Sequence, residues 1–396
     1  MRQEKVAAKG LVRIKEGLIL FPDGALQEAD VVLRDGRIES VGANLVADAE
    51  IDAAGCYVLP GLIELHTHGM RGHAAETGDL IAYAATMAEF GATTFYPTLF
   101  CPPDRAVEHL RRHLRETDGL RLTPQVGGFR LESPYLAIPS GGTDLDVAPI
   151  DEALTRRLLA AGEGHIKLWD VSPELDGAVA LIRRLSAQGI VCSIAHTHAT
   201  IAQGRAAVDA GARLATHLFD VFYHTPERKD PDPDIYAPSL VDYLLVEDRL
   251  TCEIIGDGTH VDPLLVEMAF RCKGAERLAF VTDSNLASGM PPGRYSIPGN
   301  GGDVMIRSAS DGVRLPDRDM ILAGSALSPL DGLRNVVRLF GKDVATASRV
   351  WSATPARLMG LNKGEIAVGR DADLIVLDEN LELLYTLVAG NVVYQA

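Results

Sequence analysis

Eight short apolar segments recur between residues 56 and 283, and six of them end at, or one residue past, a histidine, glutamate or aspartate. They read "CYVLPGLIELH", "ATTFYPTLF", "PQVGGFRLE", "HIKLWDVS", "GIVCSIAH", "ARLATHL", "LTCEIIGD" and "RLAFVTD". Stretches of helical periodicity lie between several of them, for example "DLIAYAATMAEFG" and "ELDGAVALIRRLSAQG". Eight strand–helix repeats within about 250 residues are what a (β/α)8 TIM barrel requires. A doubly wound open sheet meets the same strand count. The polar residues at the strand ends favour the barrel, where such residues gather at one mouth.

The flanks have a different texture. Residues 11–58 hold three apolar bursts separated by the turn signals "PDG" and "RDGR", and "GEIAVGRDADLIVLDENLELLYTLVAGNVVYQA" alternates short apolar runs with Gly and Asp turns. Two such segments can pair into one sheet. The expected organisation is therefore a small β-sandwich domain from residues 1–58 and 359–396, and a catalytic barrel over 59–358. A chain of 396 residues is long enough for one large core and one satellite. Residues 220–249, rich in Pro and Asp, break the repeat and read as an inserted loop over the barrel mouth or toward a partner subunit.

Charge narrows the partners. With 54 acidic against 38 basic residues the formal net charge is −16, which repels nucleic acid and anionic membrane surfaces. The start "MRQEKVAAKG" has no apolar signal region, and no apolar run is long enough to span a bilayer, so the expected location is the cytoplasm. Five scattered cysteines lack zinc-finger spacing and read as reduced thiols.

The first segment closes as "LPGLIELHTHG", which sets His66 and His68 on one side of a strand because strand side chains alternate. The third segment ends in Glu132, the fifth in His196 and the sixth in His217. The seventh leads to His260, and the eighth ends in Asp283. One such histidine alone would be a satisfied structural residue. Four histidines and a carboxylate at matching strand ends would each need a buried partner of their own, and a divalent transition metal satisfies them together. Imidazole and carboxylate donors suit Zn, with Fe, Mn or Co also compatible. His109 and His113 sit four apart in a charged helix and read as a solvated face. His198 reads as an outer contact of the same cluster, and Lys167 as a charge at the start of a strand.

The motifs "PGLIELHTHG", "LESP", "AHTHAT", "THLF", "DGTHVDP", "VTDSNLASGMPPGRY", "LAGSAL" and "GRDADLIVLD" occur in the order found in the amidohydrolase superfamily. Within it the chain resembles the N-acetylglucosamine-6-phosphate deacetylases. The resemblance runs from about residue 11 to the C-terminus. It implies that His66 and His68 bind one metal, that His196 and His217 bind a metal, and that Glu132 is shared or bridging, for one or two ions. It further implies that Asp283 is the catalytic carboxylate, that His260 binds a small-molecule substrate, and that Arg228 reaches the substrate phosphate of a neighbouring subunit in a homodimer. The implied reaction is hydrolysis of an N-acetylated amino sugar, N-acetylglucosamine 6-phosphate being the leading substrate, to amine and acetate. Dead relatives used as scaffolds usually lack ligands, whereas this chain keeps the full set.

Several positions depart from that pattern. Asp144 stands where the family commonly has histidine, and Asp220, Val221 and Phe222 replace Asn-Ala-Met. Pro226 and Glu227 precede Arg228, and Ser133 replaces the glycine after the glutamate. Asp144 and Asp220 make the pocket more negative. Two carboxylates near a phosphate dianion repel it by a few kcal/mol at an effective dielectric near 20. Turning these side chains to solvent, or pairing them with Lys229 or Arg130, would leave phosphate binding intact. The alternative is an amidohydrolase, deacetylase or deaminase, acting on a non-phosphorylated substrate.

Overall fold

The computed structural model describes residues 10–139, 147–224, 236–296 and 303–396. Eight segments lie side by side in chain order in one sheet. They are β1 (Leu62–Thr67), β2 (Ala92–Leu99), β3 (Phe129–Leu131), β4 (Ile166–Val171), β5 (Val191–Ile194), β6 (Leu214–Ala215), β7 (Thr251–Ile255) and β8 (Leu278–Val281). Every pair from β2 to β8 is parallel. A parallel bridge from Thr67 to Ser284 returns the first strand to the end of the last. The protein is a (β/α)8 barrel. Its strands are near-continuous apolar runs because helices cover one face and the barrel interior takes the other, and every residue of β1, β2, β7 and β8 is buried.

Local signals set the helix starts. Asp151 caps Glu152–Gly162 by accepting from Leu154 N at 2.6 Å, and Thr200 with Gln203 forms a capping box at Ile201–Ala210. Asp262 caps Pro263–Lys273, where proline occupies the first turn and its missing N–H is no loss.

The segment read as one strand over residues 56–66 is two. Tyr57–Pro60 pairs antiparallel with Leu374–Leu377, and after Gly61 the chain continues as β1. Gly61 tolerates no side chain, since a Cβ there would lie 2.2 Å from Thr93 Cγ2. The N- and C-terminal segments do share a sheet. Val12–Leu20, Leu26–Arg34, Arg37–Gly42, Ala49–Asp52 and Tyr57–Pro60 join Leu374–Leu377, Leu383–Val388 and Asn391–Gln395 in eight strands. Their inward residues, including Ile14, Ile19, Val31, Val58, Leu374 and Val376, form a core of their own.

By packing, the chain divides into two compact units. One takes residues up to Glu64 with Ala84–Thr94 and Pro329–Ala396, and the other takes Leu65–Tyr83 and Phe95–Ser328. The second carries an excursion that the barrel repeat does not contain, a four-stranded antiparallel sheet of Gly293–Ser296, Asp303–Ile306, Val313–Leu315 and Ile321–Leu322. These strands are too short for periodicity to reveal. The stretch expected to be a loop over 220–249 contains the helix Leu240–Val246, whose Ser239–Asp242 capping box ends the Pro-rich run.

Candidate metal centre

All residues of this site belong to the second unit. His66 is the penultimate residue of β1 and His68 follows the strand. Glu132 follows β3, and His196, His217 and Asp283 each stand two residues beyond β5, β6 and β8. Those last three have left-handed backbones, with φ of 45°, 25° and 45°. Non-glycine residues avoid this region at a cost of roughly 1–3 kcal/mol each, and such strain clusters at functional sites. The surrounding hydrogen bonds enforce it at Asp283. Its N donates to His66 O (2.9 Å), and Ser325 N donates to its carbonyl (2.8 Å). Gly324 of "LAGSAL" lies so close that a Cβ would fall 2.9 Å from Asp283 O, with φ at +75°.

The four imidazoles are oriented alike. His68, His196 and His217 turn Nδ1 to backbone carbonyls, those of Thr98 (3.2 Å), Ile138 (3.1 Å) and Asp220 (3.2 Å). The carbonyl accepts Nδ1–H, so Nε2 carries the lone pair. His66 turns its Nδ1 to the Glu253 carboxylate at 3.5 Å. The four Nε2 atoms then converge on carboxylates. His66 and His68 approach Glu132 Oε2 at 3.3 and 3.1 Å and Asp283 Oδ1 at 3.4 and 3.2 Å. His196 and His217 approach Glu132 Oε1 at 3.0 and 3.4 Å. His66, His68 and Asp283 form one group of ligand atoms within 4.8 Å of one another, and Glu132, His196 and His217 form another. Glu132 faces both.

Lone pairs that meet lone pairs in a buried site repel unless positive charge lies among them. Burial opposes charge on His217, yet the hydrogen bond to Glu132, with Asp220 and Asp283 nearby, outweighs it and pushes the imidazole up to about 10. Burial likewise opposes ionisation of Glu132, and the surrounding histidines override it and hold the carboxyl well below the usual range. The donor set draws cations inward, and its chemistry fits a divalent metal.

Asp220 is half-buried, and a carboxylate oxygen of it lies within 4.8 Å of ligand atoms of His217 and Asp283. His260 stands on the loop after β7, where Asp257 accepts both its Nδ1–H (2.6 Å) and its backbone N–H (3.0 Å). Asp257 is a site residue that sequence reasoning missed, although "DGTH" contained it. Asp144 and Arg228 lie outside the described residues, as does Lys229. His198 is not with the other imidazoles. It is exposed, with its ring 4.7 Å from that of Tyr223. Lys167 is half-buried at the second position of β4, far down the strand from the site. Ser133, in place of glycine, donates to Cys101 O (3.0 Å) and accepts from Cys101 N (3.2 Å).

Two expectations are overturned. His113 is buried within Pro103–Glu116, because it shares the face of Ala106, Leu110 and Leu114. Its Nε2–H donates to the carbonyls of Ala75 (3.0 Å) and Glu76 (2.8 Å). His109 is on the buried side as well. Arg130 is unavailable to a pocket carboxylate, since it is fully buried between Asp170 and Glu253. Charges inside strands that otherwise read as buried are the signal that would have revealed this cluster.

The amidohydrolase family profile matches residues 57–393, and the chain belongs to that family of metal-dependent hydrolases acting on amide bonds. The N-acetylglucosamine-6-phosphate deacetylase of Bacillus subtilis is 29% identical over 400 residues, covering 96% of each chain. The N-acetylgalactosamine-6-phosphate deacetylase of Escherichia coli O157:H7 is also 29% identical, over 94% of this chain and 96% of that one. A point mutant of the Mycobacterium smegmatis N-acetyl-D-glucosamine-6-phosphate deacetylase, solved in complex with N-acetyl-D-glucosamine-6-phosphate, matches with a TM-score of 0.84 at 29% identity, over 97% of this chain and 99% of that one. Among the described residues no helix is long and apolar enough to cross a membrane.

Proposed function

We propose that this chain deacetylates an N-acetylated amino-sugar phosphate, N-acetylglucosamine 6-phosphate first, to the amine and acetate. The observation that carries the reading is the convergence of four Nε2 atoms on Glu132 and Asp283 at one barrel mouth. His66 and His68 with Asp283, and His196 and His217 with Glu132, would hold one or two cations, zinc before Fe, Mn or Co. A bound cation of this kind supplies a water acidified to near neutrality and a polarised amide carbonyl. Asp283, held ionised by its histidine neighbours against the effect of burial, takes the water proton on its carboxylate and returns it to the departing amine nitrogen. His260 is oriented by Asp257, whose hydrogen bond raises its proton affinity against the opposing effect of burial, so Nε2–H is available to donate to the substrate. Arg228 would hold the phosphate from a neighbouring subunit of a homodimer. The expected location is the cytoplasm, with residues 1–58 and 359–396 as the small domain and 59–358 as the catalytic one.

Zinc-loaded protein should release acetate from N-acetylglucosamine 6-phosphate faster than from the unphosphorylated sugar. The galactosamine epimer is the necessary comparison, because relatives named for either sugar are 29% identical to this chain. Equal or faster release from unphosphorylated amides would overturn the substrate assignment. It would favour the second reading, a non-phosphorylated substrate, which the Asp220 carboxylate beside His217 and Asp283 supports. Absence of bound metal after expression with metal supplied would overturn the reading altogether.

A further inference from the structure

Barrel interiors are ordinarily filled with Val, Ile and Leu. Below the metal centre this barrel instead holds Arg130 of β3, Asp170 of β4 and Glu253 of β7, all fully buried. Arg130 donates to Asp170 through Nε and Nη2 at 3.0–3.1 Å and to Glu253 at 2.6 and 3.2 Å. Apolar side chains would fill this layer without the cost of desolvating three charges. What they could not do is bond to the segments that carry the ligands.

The contacts fall on those segments one after another. Arg130 Nη1 donates to the carbonyl of Leu65, which precedes His66 (3.2 Å), and Arg130 itself lies two residues before Glu132. Arg130 Nη2 donates to Thr216 Oγ1, which precedes His217 (2.9 Å), and Thr216 Oγ1 also bonds to Ser193 Oγ on β5, three residues before His196 (2.6 Å). Glu253 Oε2 accepts from His217 N (3.3 Å) and faces His66 Nδ1 (3.5 Å). His66 is the one imidazole of the four whose Nδ1 faces a carboxylate instead of a carbonyl. A carboxylate in that place fixes the tautomer and strengthens the imidazole as a ligand. Counting one cation against two carboxylates, the layer also leaves one net negative charge beneath the centre.

We infer that Glu253, clamped by Arg130, is a positioning residue that aims His66 and the backbone of His217 at the metal. The inference rests on the proposed metal set. Its test is Glu253→Gln, which keeps shape but puts an N–H where an oxygen faces His66 Nδ1 and accepts from His217 N. Zinc affinity, measured by competition with a chromophoric chelator, should fall by about 10- to 100-fold, the usual effect of losing such a partner. The visible spectrum of the cobalt-substituted protein should shift, while circular dichroism stays that of the wild type. Asp170→Asn, whose side chain bonds to Arg130 and faces no ligand imidazole, should lower the thermal midpoint and leave zinc affinity within threefold. Unchanged affinity and an unchanged cobalt spectrum in Glu253→Gln would overturn the inference. So would loss of folding in that variant, which would make the layer purely architectural. If the wild type itself binds no zinc, it is the reading of the site that fails.

Discussion

Replacing Arg130 by Met removes a buried cation and keeps most of the side-chain volume. The guanidinium faces two carboxylates at hydrogen-bond distance, and all three groups are fully buried. At an effective dielectric of ~20 each pair is worth ~4 kcal/mol, or ~8 kcal/mol for the two. Arg130's own desolvation cancels several kcal/mol of that, which leaves a net loss of about 3–5 kcal/mol, the range found when one partner of a buried pair is removed. That is a large share of a domain's usual ~5–15 kcal/mol.

The loss should depend on pH. In the native protein burial raises Asp170, whereas Arg130 and His66 overcome burial at Glu253 and hold it down at about 2. Without the arginine both carboxyls should rise above their unfolded values of ~3.9 and ~4.3. A raised carboxyl contributes stability below its unfolded pKa that is lost as pH rises through the folded one. The deficit should therefore be largest near neutrality and shrink toward pH 5.

Urea titrations followed by fluorescence can read this locally, because Trp169 adjoins Asp170 and its ring lies 5.9 Å from that of Tyr135. The second of the chain's two tryptophans, Trp351, is replaced by Phe in both proteins compared. A deficit below ~1 kcal/mol at pH 7.5, or one that grows on acidification, would refute the reasoning.

Three further outcomes are expected. The double variant His196→Ala/His217→Ala should lose the cation and its turnover, measured by metal analysis and acetate release; retained turnover would end the metal assignment. Asp283→Asn should keep the cation held by Glu132, His196 and His217 and lower kcat by about 10²- to 10⁴-fold, the span of general acid–base catalysis, in a steady-state assay. His113, which burial and then Arg112 push down from 6.5 to about 4, stays neutral in the fold while the unfolded chain protonates. Its contribution is intact above pH 6.5 and lost as pH falls toward 4, about 3 kcal/mol in all. His113→Gln should then melt with a smaller drop in midpoint between pH 7 and pH 4.5 than the wild type.

The barrel and the strand ends that carry His66, His68, Glu132, His196, His217 and Asp283 were legible in the sequence. Alternating apolar runs, helix caps and turn residues act over a few neighbours, so they survive in one dimension. The "HTH" spacing likewise sets two imidazoles on one side of a strand whatever the rest of the chain does. The tertiary structure decided what depends on partners far away in the chain. Arg130 reads as a partner for the pocket carboxylates Asp144 and Asp220 until β4 and β7 bring Asp170 and Glu253 against it, 40 and 123 residues on. His113 reads as solvated until the carbonyls of Ala75 and Glu76 meet its ring. The direction of each Nε2 was equally out of reach, because a tautomer is chosen by what the other nitrogen touches, and only the closed barrel supplies that contact.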